Sequence, residues 1–294
     1  MKKNRILITG AGGALGKILV DLLDNNDECV LPLVKHNHKE IKDTTKCDIQ
    51  NFNSLSKIMC EFKPTHVIHL AGLTGNLECE ENPEQAFQNN VFGTYNILKC
   101  CIKNKPKIIF ASSREVYGDT KLKVNEKSKL KPKNINGLTK MLSENLILNF
   151  NLQYEIPYTI LRFTNFYGEN YSKRGISKMI KIAMRGEKIS IYGGNQMIDL
   201  LHHDDAGIAI LKALNMKDSE IYNIGSGKSI TISYLLKQIE KICDKKIPLE
   251  RKPYRSFEVR NFRIDNSKAK SKMKFEPRLG LNEVLKRMYA KQIS

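Results

Sequence analysis

RILITGAGGALGKIL, residues 5–19, reads as a short apolar strand, a turn with four glycines inside seven residues, and the start of a helix. A strand that ends in such a turn and restarts as a helix leaves bare backbone N–H groups at a positive helix end, which is a seat for phosphate. Gly10, Gly13 and Gly16 are spaced G-x-x-G-x-x-G in place of the commoner G-x-G-x-x-G, and Gly12 is an extra. The missing side chains make room for the tight turn, for a pyrophosphate, and for helix against strand. A βα turn that binds nothing has the same look, so the motif alone leaves both readings open.

Outward from the turn, strands and helices alternate. A helix is expected over 14–23 and a strand over Cys29–Val34, where Pro32 suits an edge or a bulge. A helical pattern through Leu55, Ile58, Met59 and Phe62 stops before Pro64, and THVIHLAG gives a buried strand. A helix over 84–101, a strand over 107–111, a helix over 137–151 and a strand over 158–162 continue the rhythm. That order predicts a Rossmann-type doubly wound parallel α/β sheet. Beyond Gly168 the spacing changes: helices are expected over 176–185, within HHDDAGIAILKAL, over 233–243 and over 281–291, with a short strand in ISIYGG. The division expected is a dinucleotide-binding domain over 1–168 and a smaller α/β, mainly substrate-binding domain over 169–294, with the chain interleaving near the boundary.

Bulk properties narrow the function classes. With 294 residues, 41% of them apolar, the chain can bury a large core. No run approaches the roughly 20 apolar residues of a membrane span, and MKKNR leads straight into a strand, so a cytoplasmic protein without a membrane partner is expected. The seven cysteines form no C-x-x-C pair, which points to reduced thiols and to no metal site. The net charge of +18 is scattered; the cluster from Lys121 to Lys133 is interrupted by Leu122, Val124 and Glu126. A nucleic-acid stripe would be clustered or interleaved with aromatics, so the charge is read as lysine-rich surface that helps attract a phosphorylated small substrate. At the end of the second strand, about 20 residues past the glycines, nicotinamide folds place an acid for the ribose hydroxyls. Here Lys35 and His36 occupy that stretch, which favours the 2′-phosphate of NADP over NAD.

Taken together, the chain resembles the extended short-chain dehydrogenase/reductase family, in its nucleotide-sugar epimerase, dehydratase and reductase branch. The resemblance spans nearly the whole chain and rests on seven motifs in order: TGAGGALG (9–16), CDI (47–49), HLAG (69–72), ENPEQAFQNNVFGTYNIL (81–98), ASSREVYG (111–118), LRFTNFYG (161–168) and YNIGSG (222–227). It implies a cofactor seat formed by Gly10, Gly12, Gly13, Ala14, Leu15 and Gly16, with Asp48 and Ile49 at the adenine. Leu70, Ala71 and Gly72 then line the dinucleotide, and Asn90 supports the central strands beside it. The resemblance further implies that Asn165 and Arg255 meet the sugar diphosphate, Arg255 as a bidentate donor, with Tyr192 among the substrate-binding residues. Ser113 matches the catalytic Ser/Thr. Lys140 matches the lysine of the Y-x-x-x-K signature, which holds the nicotinamide ribose and lowers the tyrosine's pKa from one helical turn away.

The tyrosine itself is absent, because residues 132–140 read PKNINGLTK and place Asn136 there. A carboxamide hydrogen-bonds a hydroxyl but does not take its proton. Three accounts stay open: a tyrosine enzyme in which the residue was replaced; a native asparagine with catalysis through Ser113, Lys140, Glu115, Tyr117 or water; and a protein that binds NAD(P) and a nucleotide sugar without turnover. In SRE (113–115), Arg114 stands where sugar 4,6-dehydratases carry aspartate, which weakens a dehydratase built on Glu115. The expectation is therefore an NAD(P)-dependent oxidoreductase or epimerase of a nucleotide-activated sugar, with hydride exchanged at sugar C4 and 4-keto reduction favoured over epimerisation. A homodimer paired through the helices over 84–101 and 137–151 is expected, with no nucleic-acid partner.

Overall fold

A computed structural model describes residues 3–24, 28–36, 40–169 and 175–293. The chain runs β1 (Arg5–Thr9), α1 (Ala14–Asp24), β2 (Cys29–Val34), β3 (Thr45–Lys46), α2 (Phe52–Phe62), β4 (His66–His69), α3 (Asn76–Glu81), α4 (Pro83–Ala86), α5 (Gly93–Cys101), β5 (Lys107–Ser113), α6 (Ile135–Tyr154), β6 (Tyr158–Phe163) and β7 (Asn165–Tyr167). It continues with α7 (Ile176–Arg185), β8 (Ile189–Tyr192), β9 (Met197–His202), α8 (His203–Leu214), β10 (Glu220–Ile224), β11 (Ser229–Thr231), α9 (Ile232–Cys243), β12 (Leu249–Lys252), α10 (Ser267–Lys272) and α11 (Leu281–Ile293).

Seven strands pair in parallel in the order β10-β6-β5-β4-β1-β2-β3. Successive side chains point to opposite faces, and both faces are covered. Ile6, Ile8, Ile68, Ile109 and Leu161 pack under α1 and α8, while Leu7, Val67, Ile108, Phe110 and Ile160 pack under α2, α5 and α6. Strand order reverses between β1 and β4, and the crevice beyond their carboxyl ends is where such sheets bind ligands. Gly10 closes that crevice with φ +71; a Cβ there would lie 2.7 Å from Ala71 N. Gly16 lets α1 settle on the turn, since its Cβ would stand 2.5 Å from the Ala11 carbonyl.

Two small sheets, β11-β9-β7 and β12-β8, take all their strands but β7 from beyond residue 168 and pack with α7, α9 and α11 in a separate core. It also returns to the large sheet: β10 pairs with β6, and α8 packs against α1. Among the described residues no helix is long and apolar enough to cross a membrane.

Local departures from the sequence reading have physical causes. The helix expected from residue 84 starts at Pro83 and carries a π turn over Phe87–Phe92, which turns Asn90 inward. Residue 135, not 137, starts α6, because the Asn134 carboxamide oxygen accepts from Gly137 N at 2.8 Å and caps the helix there. Pro32 sits in the second strand from the edge; β3 reaches only Leu33 and Val34, so the outer side of Pro32 has no strand partner. Helix α3 (Asn76–Glu81) was not expected from the sequence.

One buried ion pair joins α6 to the sheet. Glu144 and Arg162 are 1% and 3% exposed, with Nη2 at 2.6 Å and Nε at 3.0 Å from the carboxylate. Arg162 Nη1 donates to Tyr117 Oη at 2.8 Å, and Ser112 Oγ donates to Glu144. Removing one partner strands the other charge, so Glu144→Gln should cost about 3–5 kcal/mol in chemical denaturation, whereas the double variant Glu144→Leu/Arg162→Met should recover most of that loss. Equal destabilisation by the single and double variants would show that the pair is not what holds α6.

Candidate active site

Two cavities open along the carboxyl edge of the sheet and meet at the glycine turn. The outer, about 540 Å³, is lined by Gly10, Gly12, Gly13, Lys35, His36, Asp48, Ile49, Leu70, Ala71 and Gly72. The inner, about 370 Å³, shares Gly10, Gly13 and Leu70 and continues past Ala14, Leu15 and Gly16 to Ser113, Arg114, Glu115, Asn136, Lys140 and Asn165. Most of the expected cofactor residues thus border one continuous crevice. Asn90 stands behind it: its Oδ1 accepts from Leu73 N at 2.7 Å, and its Nδ2 donates to Leu73 O and to Thr139 Oγ1. It fixes the backbone that leaves β4, which is a supporting role.

At the outer end, Lys35 Nζ lies 2.9 Å from Asp48 Oδ2. Burial pushes the Asp48 carboxyl up, but the Gln50 N–H and the Lys35 charge outweigh it and hold the group below the usual range. The cation that favoured a 2′-phosphate is therefore engaged by a neighbouring carboxylate.

At the inner end, Asn136 and Lys140 stand one turn apart on α6. Lys140 is buried, donates from Nζ to Ala111 O at 2.7 Å and lies over the Phe110 ring at 4.8 Å. Burial drives its ammonium down to about 8, so the amine form is accessible near neutral pH. Asn136 Nδ2 donates to Asn76 Oδ1 at 3.1 Å, and its buried Oδ1 has no partner in the fold. Ser113 Oγ accepts from Glu115 N at 3.2 Å, which leaves its own proton to donate. Glu115 is not a free acid or base: its carboxylate is 2.8 Å from Arg114 Nη2 and accepts from Asn134 Nδ2 at 2.7 Å. His69 sits beneath the site between Thr9 and Thr94; burial first, then the Lys140 charge, push it down to about 3, so it stays neutral.

Asn165, at the start of β7, also presents a buried Oδ1 without a partner. Tyr192 and Arg255 come together, the guanidinium 3.8 Å from the ring centroid, with Arg255 3.9 Å from Glu258. They lie beyond the inner cavity; the segment that carries Arg255 is tied to α6 where Asn134 donates to Phe257 O at 3.2 Å. Asn76 and Asn134 escaped the sequence reading. An asparagine just before a helix was a legible cap signal for Asn134; nothing in the sequence linked Asn76 to Asn136. Away from the crevice, the ligand atoms of Glu169, His202 and His203 lie within 4.8 Å of one another, with Glu169 engaged by His202 and Arg287.

These features suit a nicotinamide dinucleotide. The cradle at Gly10 and Gly16 is one that a Cβ would fill, the joined cavities supply length, and unpartnered carboxamide oxygens await ligand hydroxyls at the inner end.

Comparison with known proteins agrees. The profile of the NAD dependent epimerase/dehydratase family matches residues 6–225. A putative UDP-glucose 4-epimerase of Methanocaldococcus jannaschii is 35% identical, with 96% of each chain covered. The structure of UDP-glucose 4-epimerase with UDP-glucose from Thermotoga maritima superposes with a TM-score of 0.91 at 28% identity, covering 98% of this chain and 99% of that one. That of MoeE5 in complex with UDP-glucuronic acid and NAD gives 0.90 at 26%, covering 98% of both. By its profile, its relatives and the crevice it builds, this chain belongs to the NAD dependent epimerase/dehydratase family.

Proposed function

We propose that the chain binds NAD and a nucleotide-activated sugar and catalyses redox exchange at the sugar C4, with epimerisation as the net outcome. The observation that carries this reading is the meeting of the two cavities at Gly10, Gly13 and Leu70, with Ser113, Asn136 and Lys140 at the inner end. NADP and 4-keto reduction, favoured by Lys35 in the sequence, lose support because Lys35 is paired with Asp48.

When bound, NAD supplies the redox half of the reaction, taking up and returning two electrons and a hydrogen at the sugar carbon. The chain's own groups do the rest. Backbone N–H groups of the glycine turn hold the pyrophosphate, and Asn90 fixes the adjoining strand end. Ser113 Oγ donates to the reacting sugar oxygen and orients it. Asn136 Oδ1 accepts from a sugar hydroxyl without taking its proton. Lys140 Nζ, as the amine, takes the proton released by the sugar hydroxyl, becomes the ammonium, and returns it when the oxygen is reduced again. Glu115, held by Arg114 and Asn134, positions Ser113 through its backbone N–H.

The pH dependence follows from Lys140. Below its pKa the ammonium cannot accept a proton, so kcat should rise with pH through about 8 and level off above it. Lys140→Met should abolish turnover at every pH. Asn136→Tyr should raise kcat by about 10²-fold, the ordinary contribution of a placed acid/base group, and move the rising limb to lower pH. Turnover by Asn136→Tyr alone, with none by the present sequence at any pH, would show that this sequence binds its ligands without turnover and that a tyrosine at 136 restores the enzyme. Absence of turnover in both, with UDP-glucose, UDP-glucuronate and 4-keto nucleotide sugars, overturns the proposal.

Fluorescence titration should show NADH binding more tightly than NADPH, and the reverse order would restore the NADP reading. A homodimer paired through α5 and α6 is the proposed assembly, because Phe92, Tyr95 and Leu152 are exposed on these helices and the turn between them and α4. Light scattering should give twice the 33.6 kDa chain mass, and a single chain mass would dismiss it.

A further inference from the structure

A polar network lies sealed beneath the crevice. Thr9 of β1, His69 of β4, Asn90 in the π turn, Thr94 of α5 and Thr139 of α6 are each at most 2% exposed, and each side-chain polar atom they carry has a partner. The direction of its bonds follows from counting protons. The Thr94 hydroxyl donates to Asn90 O, so towards His69 it can only accept, and Nε2, 3.0 Å away, must carry the ring proton. A neutral imidazole has one such proton, and burial keeps this ring neutral. Nδ1 is thus a bare acceptor and takes the Thr9 hydroxyl proton at 2.8 Å.

Both arms of the imidazole end on the backbone that leaves β4. On the Nδ1 side, Thr9 Oγ1 accepts from Ala71 N at 3.2 Å. On the Nε2 side, Thr94 leads to Asn90, whose side chain accepts from Leu73 N at 2.7 Å and donates to Leu73 O at 3.0 Å. Asn90 Nδ2 also donates to Thr139 Oγ1, and Thr139 Oγ1 to Asn136 O at 3.1 Å, so the path runs on to the first turn of α6. Leu70, Ala71, Gly72 and Leu73 line the outer cavity. This stretch has little slack: a Cβ on Gly10 would stand 2.7 Å from Ala71 N, and one on Gly72 would stand 2.7 Å from Asn90 Oδ1 and 3.9 Å from Lys140 Nζ. An imidazole presents an acceptor at one edge and a donor at the other in a rigid plane, and a buried network in which every member is satisfied holds one arrangement.

We propose that His69, held as its Nε2–H tautomer, is a positioning residue for the cofactor: it sets where residues 70–73 stand between the glycine turn and α6, and so the shape of the dinucleotide seat. The inference rests on the NAD-binding reading given above and adds to it a residue that lines neither cavity. His69 acts through Thr9 on Ala71, and through Thr94 and Asn90 on Leu73. Its ring also faces Phe110, 5.5 Å between centroids, the same ring over which Lys140 Nζ lies. An apolar ring at 69 would fill the space, take a hydrogen-bond partner from Thr9 and from Thr94, and free the strand end.

Fluorescence titration with NADH tests this. His69→Phe should raise the dissociation constant about tenfold, and Thr9→Val, which keeps the imidazole and cuts only the Ala71 arm, about threefold. Ile239→Ala, in the separate core around α9, controls for instability alone: it should lower Tm and leave the dissociation constant unchanged. Should His69→Phe fail to fold, Thr94→Val, which cuts the Asn90 arm, is read in its place. In protein carrying nitrogen-15-labelled histidine, the resonances that His69→Phe removes or Thr9→Val shifts identify His69. Nε2 alone should carry a proton across about pH 5 to 8, where an ordinary histidine titrates. A proton on Nδ1, an unchanged dissociation constant in the His69 and Thr9 variants, or an equal rise in Ile239→Ala overturns the assignment and leaves the cofactor reading standing. Failure of the unaltered chain to bind NADH overturns both.

Discussion

The Glu144–Arg162 pair is the constraint on which the site depends. Asn136, Lys140 and Glu144 recur every fourth residue on α6 and so share one face, one above another. At the inner end of this row Glu144 is clamped by Arg162 from β6 and by Ser112 from β5. One turn out, Lys140 reaches the Ala111 carbonyl of the same β5. A further turn out, Asn136 stands at the cavity with an unused oxygen. The helix passes from full satisfaction in the core to open valence at the crevice. The ion pair fixes its rotation, and the rotation fixes what the cavity is lined with.

The cost of that placement falls on Lys140. Its value of about 8, against about 10.5 for an exposed lysine, corresponds to roughly 3 kcal/mol of folding free energy lost at neutral pH. The sign follows from proton counts: between these two values the unfolded chain holds the proton and the folded chain does not, so stability rises with pH across that window, and below it the full cost is present. A residue that only filled space would not be a lysine at such a cost. The Glu144 charge, shared with Arg162, offsets that cost only in part, and burial outweighs it. An amine that sheds its proton near neutral pH is poorly suited to holding structure and well suited to exchanging protons.

The glycine turn, the alternating elements and the parallel sheet they imply were legible because each is written in local chemistry: apolar period and turn residues. The same holds for much of the crevice, since Gly10, Leu70 and Ser113 stand at or just past strand ends that the alternation locates. What stayed hidden depends on contacts between distant segments. Lys35 read alone as a free cation, and only the fold shows Asp48, thirteen residues on, beside it. Glu115 read as an available acid until Asn134 and Arg114 closed on it. The π turn over Phe87–Phe92 and the short helix α3 (Asn76–Glu81) have no period long enough to announce them.

Asn136 and Arg114 belong to the same problem, because they line one cavity and both depart from what the family motifs lead one to expect there. Asn136 removes an ionisable group from the wall, and Arg114 adds a permanent cation. If both changes were neutral drift, each would be expected to relax into local partners. Instead each keeps polar atoms buried and unspent: Oδ1 of Asn136 as an acceptor, Nε and Nη1 of Arg114 as donors. Unspent buried polarity is costly and is retained when a ligand completes it. Both residues line the same 370 Å³ cavity.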